Sequence, residues 1–311
     1  METYTWTSNM STMDLPPRRI YIVAWPAGVA VVPLSISLFI LVSNVMVVIG
    51  FKRMGNLQIQ HYYMIGLIVA DMLTLAPFSV SVLGIFQGYV VLSARQCNGL
   101  GAVMVGSIET TACIHSVMCI DKCVSVAKPL RYRLFEKSKS STLAIVLILI
   151  LCFVLPTLMN VIFFAANLME FDFEHYMVTC LVSPESLGFI ISGLLFAFIP
   201  LTIQFVTHVI MFRTVRKMRG RTRKNMIRAI RTVGLTVGTY FLCWMPTAVY
   251  LIWNILPVRA PAGWFSFMTG EILLANSGMS CVIYAVSLPN FRDGLTINAC
   301  KKKLRSQIHP I

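Results

Sequence analysis

The chain has 311 residues, of which 57% are hydrophobic and only 12% are charged, and its mean hydropathy is +0.76. Because a water-soluble domain carries about a quarter charged residues, this composition excludes a chain of one or two globular domains and predicts a polytopic membrane protein. The net charge of +14 would suit a nucleic-acid partner. Its placement between apolar stretches argues instead for a membrane protein without a nucleic-acid partner.

Seven apolar stretches predict seven transmembrane helices. They run over about residues 21–50, 62–87, 97–122, 142–165, 187–212, 232–256 and 264–287. The predicted fold class is therefore an all-α membrane protein, a seven-transmembrane helix bundle formed by residues 21–287. We expect residues 1–20 to be an extracellular N-terminus, and residues 288–311 to form a short amphipathic helix 8 and a cytoplasmic tail.

The placement of basic residues predicts the orientation in the membrane. Of the 26 Lys and Arg residues, only Arg18, Arg19, Arg95 and Arg259 fall on one side of the predicted spans. The positive-inside rule makes that side extracellular, with the N-terminus on it. We therefore expect a multi-pass protein of the plasma membrane.

Four residues at the ends of the spans or outside them are candidates for covalent modification. Cys97 and Cys180 are the two cysteines on the predicted extracellular side, where an oxidising compartment favours a disulfide between them. An Asn-Met-Ser sequon on the same side makes Asn9 a candidate for N-glycosylation. Cys300, in the predicted tail, is a candidate site for palmitate.

Span three is predicted to lie in the middle of the bundle. The distance from Cys97 to Lys122 along a helix is about 37 Å, which exceeds the apolar core of a bilayer at about 30 Å. This span is also less apolar than a helix that faces lipid. Its polar side chains are Asn98, Ser107, Glu109, Thr110, Thr111, His115 and Ser116.

Short motifs occur in order along nearly the whole chain. They comprise Asn44, Leu67 with Ala70 and Asp71, Cys97 with Cys180, Asp121, Pro129-Leu130-Arg131-Tyr132, Pro200, Cys243-Trp244-Met245-Pro246, and Tyr284 with Phe291. In this order and spacing, they resemble the rhodopsin-like (class A) G-protein-coupled receptors. The resemblance implies a seven-helix receptor that relays a ligand signal to heterotrimeric G proteins.

The chain departs from that family where the family's activation residues lie. Asp121-Lys122-Cys123 stands in place of Asp-Arg-Tyr, and Ser280-Cys281-Val282-Ile283-Tyr284 stands in place of Asn-Pro-x-x-Tyr. The resemblance still assigns activation and G-protein contact to a set spread over four of the spans and one loop. This set is Asp121, Lys122, Cys123, Pro129, Leu130, His115, His208, Trp244, Pro246 and Tyr284.

Asp71 is an ionisable residue at mid-membrane, which makes it a functional candidate by default. Its expected partners are Thr111, Asn276, Ser277 and Ser280. The resemblance implies an allosteric Na⁺ site there. A protonated Asp71 in a hydrogen-bond network without any ion is the alternative. We expect no cofactor other than this ion and the palmitate.

Lys122 and His115 predict an altered resting state. Lysine offers a point charge where the family's arginine offers a planar fork, and His115 puts a polar ring where the family packs leucine. Elevated basal activity is the prediction. Ordinary gating, and a receptor that binds ligand but couples poorly, are the alternatives.

The predicted ligand pocket is mostly apolar and lies in the extracellular half of the bundle. Its lining residues are Met104, Val105, Ile108, Glu109, Ser192, Phe196, Trp244, Thr247 and Gly270. Met104 replaces the aspartate of amine receptors and span seven has no lysine, which disfavours amine and retinal ligands. A lipid, an apolar small molecule or a peptide tip fits better. Glu109 is predicted to face spans four and five, as a ligand anchor or in a neutral hydrogen bond.

The predicted function is signal transduction without catalysis. We expect a receptor for an extracellular or lipid-borne ligand that acts on heterotrimeric G proteins through outward movement of span six at Trp244 and Pro246. A non-coupling scavenger or heteromer partner is the alternative. A transporter is disfavoured because no internal repeat is visible, and no residue cluster suggests an enzyme.

Overall fold

The computed structural model of the chain describes residues 18–22, 25–54, 59–136, 138–183, 186–217, 220–255 and 263–287. The predicted glycosylation site Asn9, the predicted palmitate site Cys300 and the predicted helix 8 lie outside the described residues. The side chains of Ser280 and Tyr284 also lie outside them.

The described residues form a seven-helix bundle. Spans one to four are α1 (Val31–Met54), α2 (Ile59–Gln87), α3 (Ala94–Ala127) and α5 (Lys139–Ala165), and the short α4 (Pro129–Glu136) follows span three. Span five consists of α6 (Leu187–Gly193), a π-helical turn (Leu194–Phe198) and α7 (Ile199–Arg216). Spans six and seven are α8 (Gly220–Ile255) and α9 (Gly263–Ser287). Within the described ranges, spans one to five are long and apolar enough to cross a membrane.

Two two-stranded antiparallel sheets lie at one end of the bundle. Strand β1 (Arg18–Tyr21) pairs with β2 (Tyr89–Leu92), and β3 (Phe171–Glu174) pairs with β4 (Thr179–Val182). A disulfide joins Cys97 of α3 to Cys180 of β4, with the Cα atoms 5.4 Å apart, which confirms the predicted pairing. We call this end the disulfide end and the opposite end the Lys122 end.

The predicted start of span one at residue 21 is wrong. Tyr21 is the last residue of β1, and a 3-10 turn at Ala27–Ala30 leads into α1. The apolar pattern continues through β1 because the strand packs against the protein: Ile22, just after it, belongs to a buried cluster with Val90 of β2. Hydropathy alone does not separate such a strand from the helix that follows it.

Span three is longer than the predicted 97–122 and begins with a capping box. The Gln96 N–H donates to the Ser93 hydroxyl at 3.2 Å, and the Ser93 N–H donates to the Gln96 side chain at 2.8 Å. This reciprocal pair satisfies amide groups at the helix start that have no partner within the helix. A helix of 34 residues is about 51 Å long, so its ends extend beyond the apolar core of a bilayer.

Span three lies at the centre of the bundle, as predicted. In its most apolar window 72% of residues are buried, compared with 22% in the corresponding window of span four. It packs against α2, α5, α7 and α8. Its buried polar side chains therefore have neighbours from four helices with which to form hydrogen bonds, whereas span four exposes most of its side chains to lipid.

Two apolar clusters stabilise the bundle. The larger joins spans one to four toward the Lys122 end, and its fully buried members include Val47, Met64, Ile114 and Ile145. The second joins the two small sheets to spans two, three and seven at the disulfide end, and it includes Ile85, Phe173, Val178 and Phe267. The second cluster fixes the β3–β4 hairpin over the bundle.

The Cys97→Ala variant tests the disulfide. The bridge links residues separated by 83 positions, and the chain-entropy model gives a loss of about 4 to 5 kcal/mol in the free energy of unfolding. We expect a lower thermal midpoint and weaker surface expression than for Cys243→Ala, which removes a free thiol in span six. Equal midpoints for the two variants would show that the bridge is dispensable.

Candidate functional site

Asp71 lies beside a small closed cavity between spans two, three, six and seven. The space open to the centre of a water molecule is about 10 Å³, which is enough for about one water molecule or a small ion. Asp71 is buried, with only 3% of its surface exposed. The cavity walls are Leu67, Asp71, Thr111, His115, Thr236, Asn276, Met279 and Ile283.

The Asp71 side chain forms hydrogen bonds with Ser277 and Asn44. The Asn44 amide also donates to the carbonyl groups of Ile40 at 3.0 Å and Ser277 at 3.2 Å, which ties span one to span seven. Thr111 donates to the carbonyl of Ser107 at 2.9 Å within its own helix. Of the predicted partners, Ser277 contacts Asp71, while Thr111 and Asn276 share its cavity.

His115 connects the Asp71 cavity to span six. Its ring meets the Tyr240 ring edge-on, with centroids 5.0 Å apart, and Tyr240 lies 5.8 Å from Trp244. His115 and Tyr240 are both buried. Within the described part of the chain, neither His115 Nδ1 nor the Tyr240 hydroxyl has a hydrogen-bond partner. Span six carries Trp244 two residues before Pro246, which lies inside α8.

The Asp121-Lys122-Cys123 motif lies at the other end of span three. The Tyr132 hydroxyl donates its one proton to the Asp121 carboxylate, whose two oxygens lie 2.9 and 3.1 Å away, and this ties the end of span three to α4. Lys122 is buried, with its Nζ atom 4.0 Å from the Asp121 carboxylate. Cys123 packs beside the buried pair Cys119 and Met211. Pro129 and Leu130, at the start of α4, are exposed.

Span five is bound to span three by a buried amide. Gln204 donates to the Ala112 carbonyl at 3.3 Å and to the Ser116 hydroxyl at 3.2 Å. Ser116 in turn donates to the Pro200 carbonyl at 3.0 Å. His208, one turn along span five, contacts the Gln204 carbonyl through Nδ1 at 2.9 Å. These bonds fix span five, so relative motion of spans three and five is disfavoured.

Glu109 is paired with residues of spans four and five and lies apart from the Asp71 cavity. The Asn160 amide donates to its carboxylate at 2.7 Å, and the Ser192 side chain forms a second hydrogen bond. Glu109 and Ser192 are both buried. Helical spacing predicts that Glu109 faces spans four and five, which is where its two partners lie. The hydrogen bonds of Glu109 with Asn160 and Ser192 link spans three, four and five at mid-membrane.

The β3–β4 hairpin covers the predicted ligand pocket. The sulfur atom of Met177 lies 3.3 Å from the position that a Cβ atom of Gly270 would occupy. The Thr179 hydroxyl lies 4.0 Å from the Met104 sulfur. Met104 and Gly270, two of the predicted lining residues, are thus covered by the protein's own chain.

Two hydrogen bonds from other parts of the chain hold the hairpin tip. The Trp25 indole N–H donates to the Tyr176 carbonyl at 2.7 Å, and the Ser81 hydroxyl donates to the Val178 carbonyl at 2.7 Å. Val178 is fully buried and has φ of 52°, which is rare for a β-branched residue. Such a conformation persists only where surrounding contacts determine it, and here they fix the tip.

The other predicted pocket residues are dispersed. Val105 packs in a separate cluster with Phe163, Met169 and Phe171. Thr247 donates to the Thr269 carbonyl at 3.1 Å, which joins spans six and seven. Ile108, Phe196 and Trp244 are partly exposed.

Several important residues were not singled out from the sequence. Asn160 is a lone amide in an apolar span, a signal that could have marked it. Tyr240 lies four residues before Trp244, so the two share one face of span six. Met177 carried no such signal, because its position depends on the hairpin.

The bundle with its buried polar cavity defines a polytopic helical membrane protein. A family model described as "7 transmembrane receptor (rhodopsin family)" matches residues 43–285. Because this match covers most of the chain, the protein belongs to the rhodopsin-like, class A family of G-protein-coupled receptors. It is a receptor and not an enzyme.

Curated relatives of the chain are receptors of the same kind. The human G-protein coupled estrogen receptor 1 is 25% identical, covering 82% of this chain and 70% of the relative. The dog histamine H2 receptor is 21% identical over 92% of this chain and 81% of its own length. The sheep melanocortin receptor 5 is 23% identical over 90% of this chain and 86% of its own length.

The pH dependence of the hairpin tests the role of Glu174. Its carboxylate accepts the Met177 N–H across the turn, while burial raises the pKa of its carboxyl group to about 7 from the ordinary 4.5. The folded hairpin therefore favours the protonated acid. The stabilisation that protonated Glu174 contributes is complete below pH 4.5 and is lost as the pH rises through 7.

We expect amide-exchange protection of residues 171–182, corrected for intrinsic exchange, to fall about tenfold between pH 6 and pH 8. Glu174→Gln cannot ionise and should show a flat profile. Glu170→Gln, outside the hairpin turn, is the matched control and should retain the wild-type profile. A wild-type profile that is already flat would contradict this role for Glu174.

Proposed function

We propose that the protein is a plasma-membrane receptor that couples to heterotrimeric G proteins and signals substantially without added ligand. Its N-terminus and disulfide end face the cell exterior, and its Lys122 end faces the cytoplasm. Activation moves span six outward at that end. The contact between His115 and Tyr240 is the observation that carries this proposal.

The rings of His115 and Tyr240 join span three to span six beside the Asp71 cavity. Each carries a buried polar atom without a partner in the part of the chain that the structure describes, and such an atom costs about 1 to 3 kcal/mol. An outward movement of span six would separate the rings and let water reach both atoms. The arrangement with the rings in contact is therefore destabilised relative to one with span six displaced.

The packing of span six also favours it as the moving element. Span six packs mainly against span seven and less extensively against spans three and five. Spans three and five, in contrast, are joined through Gln204 and Ser116. Separation of span six from span three therefore breaks fewer contacts than separation of span five from span three would.

Lys122 provides the cation that the family places at the G-protein end. Its charge is buried beside Asp121, whose other partner is Tyr132. We propose that Lys122 leaves Asp121 and contacts the G protein when span six moves outward. A lysine makes fewer hydrogen bonds there than an arginine fork would, so coupling should be functional but weak.

The ligand is proposed to be apolar and to displace or contact the hairpin tip. Met177 and Thr179 already cover the positions of Gly270 and Met104. The names of the relatives refer to estrogen, histamine and melanocortin. Such different ligand chemistries do not favour one class for this chain, whereas the apolar side chains of Met177 and Met104 at the hairpin tip favour an apolar ligand.

Ligand-free nucleotide exchange on a panel of heterotrimeric G proteins tests the coupling. We expect exchange above the membrane background for the wild type. His115→Leu removes the buried unpartnered nitrogen and stabilises the inward position of span six, so exchange should fall about fivefold to thirtyfold. Ser107→Ala is the matched control, since the Ser107 hydroxyl is satisfied by the Val103 carbonyl at 2.7 Å in its own helix.

The Lys122 variants separate coupling from folding. Lys122→Ala should reduce nucleotide exchange to background at normal surface expression. Lys122→Arg should give exchange equal to or above that of the wild type. If the wild type itself catalyses no exchange with any G protein while reaching the cell surface, the non-coupling scavenger or heteromer partner is the better description.

We further propose that the Asp71 cavity binds Na⁺. Asp71 and Asn276 offer oxygen ligands, and the cavity has room for one small ion. At ten times its Kd, a bound ion would stabilise the receptor by about 1.4 kcal/mol. We expect NaCl, compared with choline chloride, to raise the thermal midpoint of the wild type and to leave Asp71→Asn unchanged. An equal response of both proteins would favour a protonated Asp71 without an ion.

A further inference from the structure

The N-terminal segment crosses the disulfide end of the bundle before span one begins. We call residues 18–22 and 25–30 the strap, which includes β1 and the 3-10 turn that leads into α1. Strand β1 pairs with β2, and the Ile22 N–H donates to the Gly88 carbonyl at 2.9 Å. These bonds fix the strap to the connection between spans two and three.

Gly84 of span two is the position where the strap meets the tip of the β3–β4 hairpin, residues 176–178. A Cβ atom on Gly84 would overlap the Val90 side chain of β2. It would also lie 2.9 Å from the Ile22 side chain and 3.2 Å from the Val178 side chain. A residue without a side chain leaves room for three segments at one point. The strap and the hairpin tip therefore pack against the same position of the bundle.

Span seven presents two further glycines to the hairpin tip. A Cβ atom on Gly263 would overlap the Tyr176 ring, and one on Gly270 would lie 3.3 Å from the Met177 sulfur atom. The two glycines are seven residues apart, so they lie on nearly the same face of span seven, two turns from each other. The tip is thus docked along one face of span seven.

Trp25 connects the strap to both sides of this docked contact. Its indole N–H donates to the Tyr176 carbonyl at 2.7 Å, so it holds the hairpin tip. Its ring lies 4.8 Å from the ring of Phe267, which stands between the two glycines, so it also holds span seven. A single residue of the strap therefore bridges the tip and the helix on which the tip is docked.

The strap is less firmly anchored than the hairpin that it holds. Among the described residues, β1 pairs with β2 alone, and a two-stranded ribbon is marginally stable in water. The hairpin, by contrast, is covalently linked to span three through Cys180, which follows Met177 by three residues. Release of the strap would therefore free the tip while the disulfide keeps the base of the hairpin in place.

We propose that the strap is a latch that keeps the hairpin tip docked on span seven and so closes the disulfide end of the bundle to ligands. Release of Trp25 frees the tip from the two glycines of span seven and opens a path into the bundle. This inference rests on the proposed function, in which a ligand displaces or contacts the hairpin tip. A ligand that binds only after release has its apparent affinity reduced by the fraction of receptors whose tip is undocked.

A thiol on the face of span seven that the tip covers tests the latch. Ser266 lies within about 60° of Gly263 and Gly270 around the helix, and only 2% of its surface is exposed. Ser266→Cys is nearly isosteric. The probe is a cationic methanethiosulfonate reagent, added to the full-length receptor in nanodiscs, and the wild type gives the background from native cysteines. We expect slow labelling of the Ser266→Cys receptor, because the docked tip covers the thiol.

Variants of Trp25, made in the Ser266→Cys receptor, should speed the labelling. Trp25→Ala removes one hydrogen bond and one ring contact, so we expect a rate about tenfold higher. Trp25→Phe keeps an aromatic ring without the N–H donor, so it should give a smaller increase of about threefold and serves if the alanine variant folds poorly. Trp264→Ala is the matched control, because Trp264 is an exposed tryptophan of span seven that contacts the Phe265 ring. It should leave the rate unchanged.

Three results would overturn the proposal. Unchanged labelling in Trp25→Ala and Trp25→Phe receptors whose spans keep their amide-exchange protection would show that the tip stays docked without the strap. An equal increase in Trp264→Ala would indicate general loosening of the disulfide end. Labelling of the Ser266→Cys receptor as fast as that of a free thiol would show that this end is already open.

The labelling rate does not depend on a G protein. A receptor that catalyses no nucleotide exchange can therefore still confirm the latch. Equally, a receptor without a latch can still couple, so the failure of this inference is distinguishable from the failure of the proposed function.

Discussion

The bundle depends on the requirement that polar groups inside a membrane be satisfied by the protein itself. Among the described residues, span three carries more of the buried polar groups than any other span, and three of them face three different neighbours. Glu109 bonds span four through Asn160, Ser116 bonds span five, and His115 faces span six. These contacts orient span three about its own axis more specifically than apolar packing does, because lipid tails compete well for apolar side chains. The surrounding helices are then placed by their polar partners on span three.

The disulfide end is built on a different principle, because there the chain is irregular. The bridge from Cys97 to Cys180 fixes the hairpin to span three, and Trp25 and Ser81 hold its tip from the N-terminal segment and span two. Three separate segments thus converge on one loop. The loop covers the predicted pocket residues Met104 and Gly270 as a fixed part of the receptor, so a ligand that reached them would have to displace or contact the hairpin.

The sequence predicted the helices well, because hydropathy and length suffice for segments that must cross a bilayer. It also predicted the direction of Glu109, because rotation about a single helix follows from residue spacing. It failed at Tyr21, where an apolar strand precedes an apolar helix. It also did not foresee Met177 over Gly270, since that contact depends on how a hairpin folds across the bundle. Local periodicity carries no information about such long-range contacts.

The two departures of span three from its family are related through the geometry of that helix. His115 and Lys122 are seven residues apart, so they lie on nearly the same face, two turns from each other. His115 leaves a polar atom without a described partner beside span six, and Lys122 has a long contact with Asp121, at 4.0 Å. In the function that we propose, both weaken the interactions that hold a resting arrangement together. Because they lie on one face, the proposed outward displacement of span six would relieve the first and expose the second in the same movement.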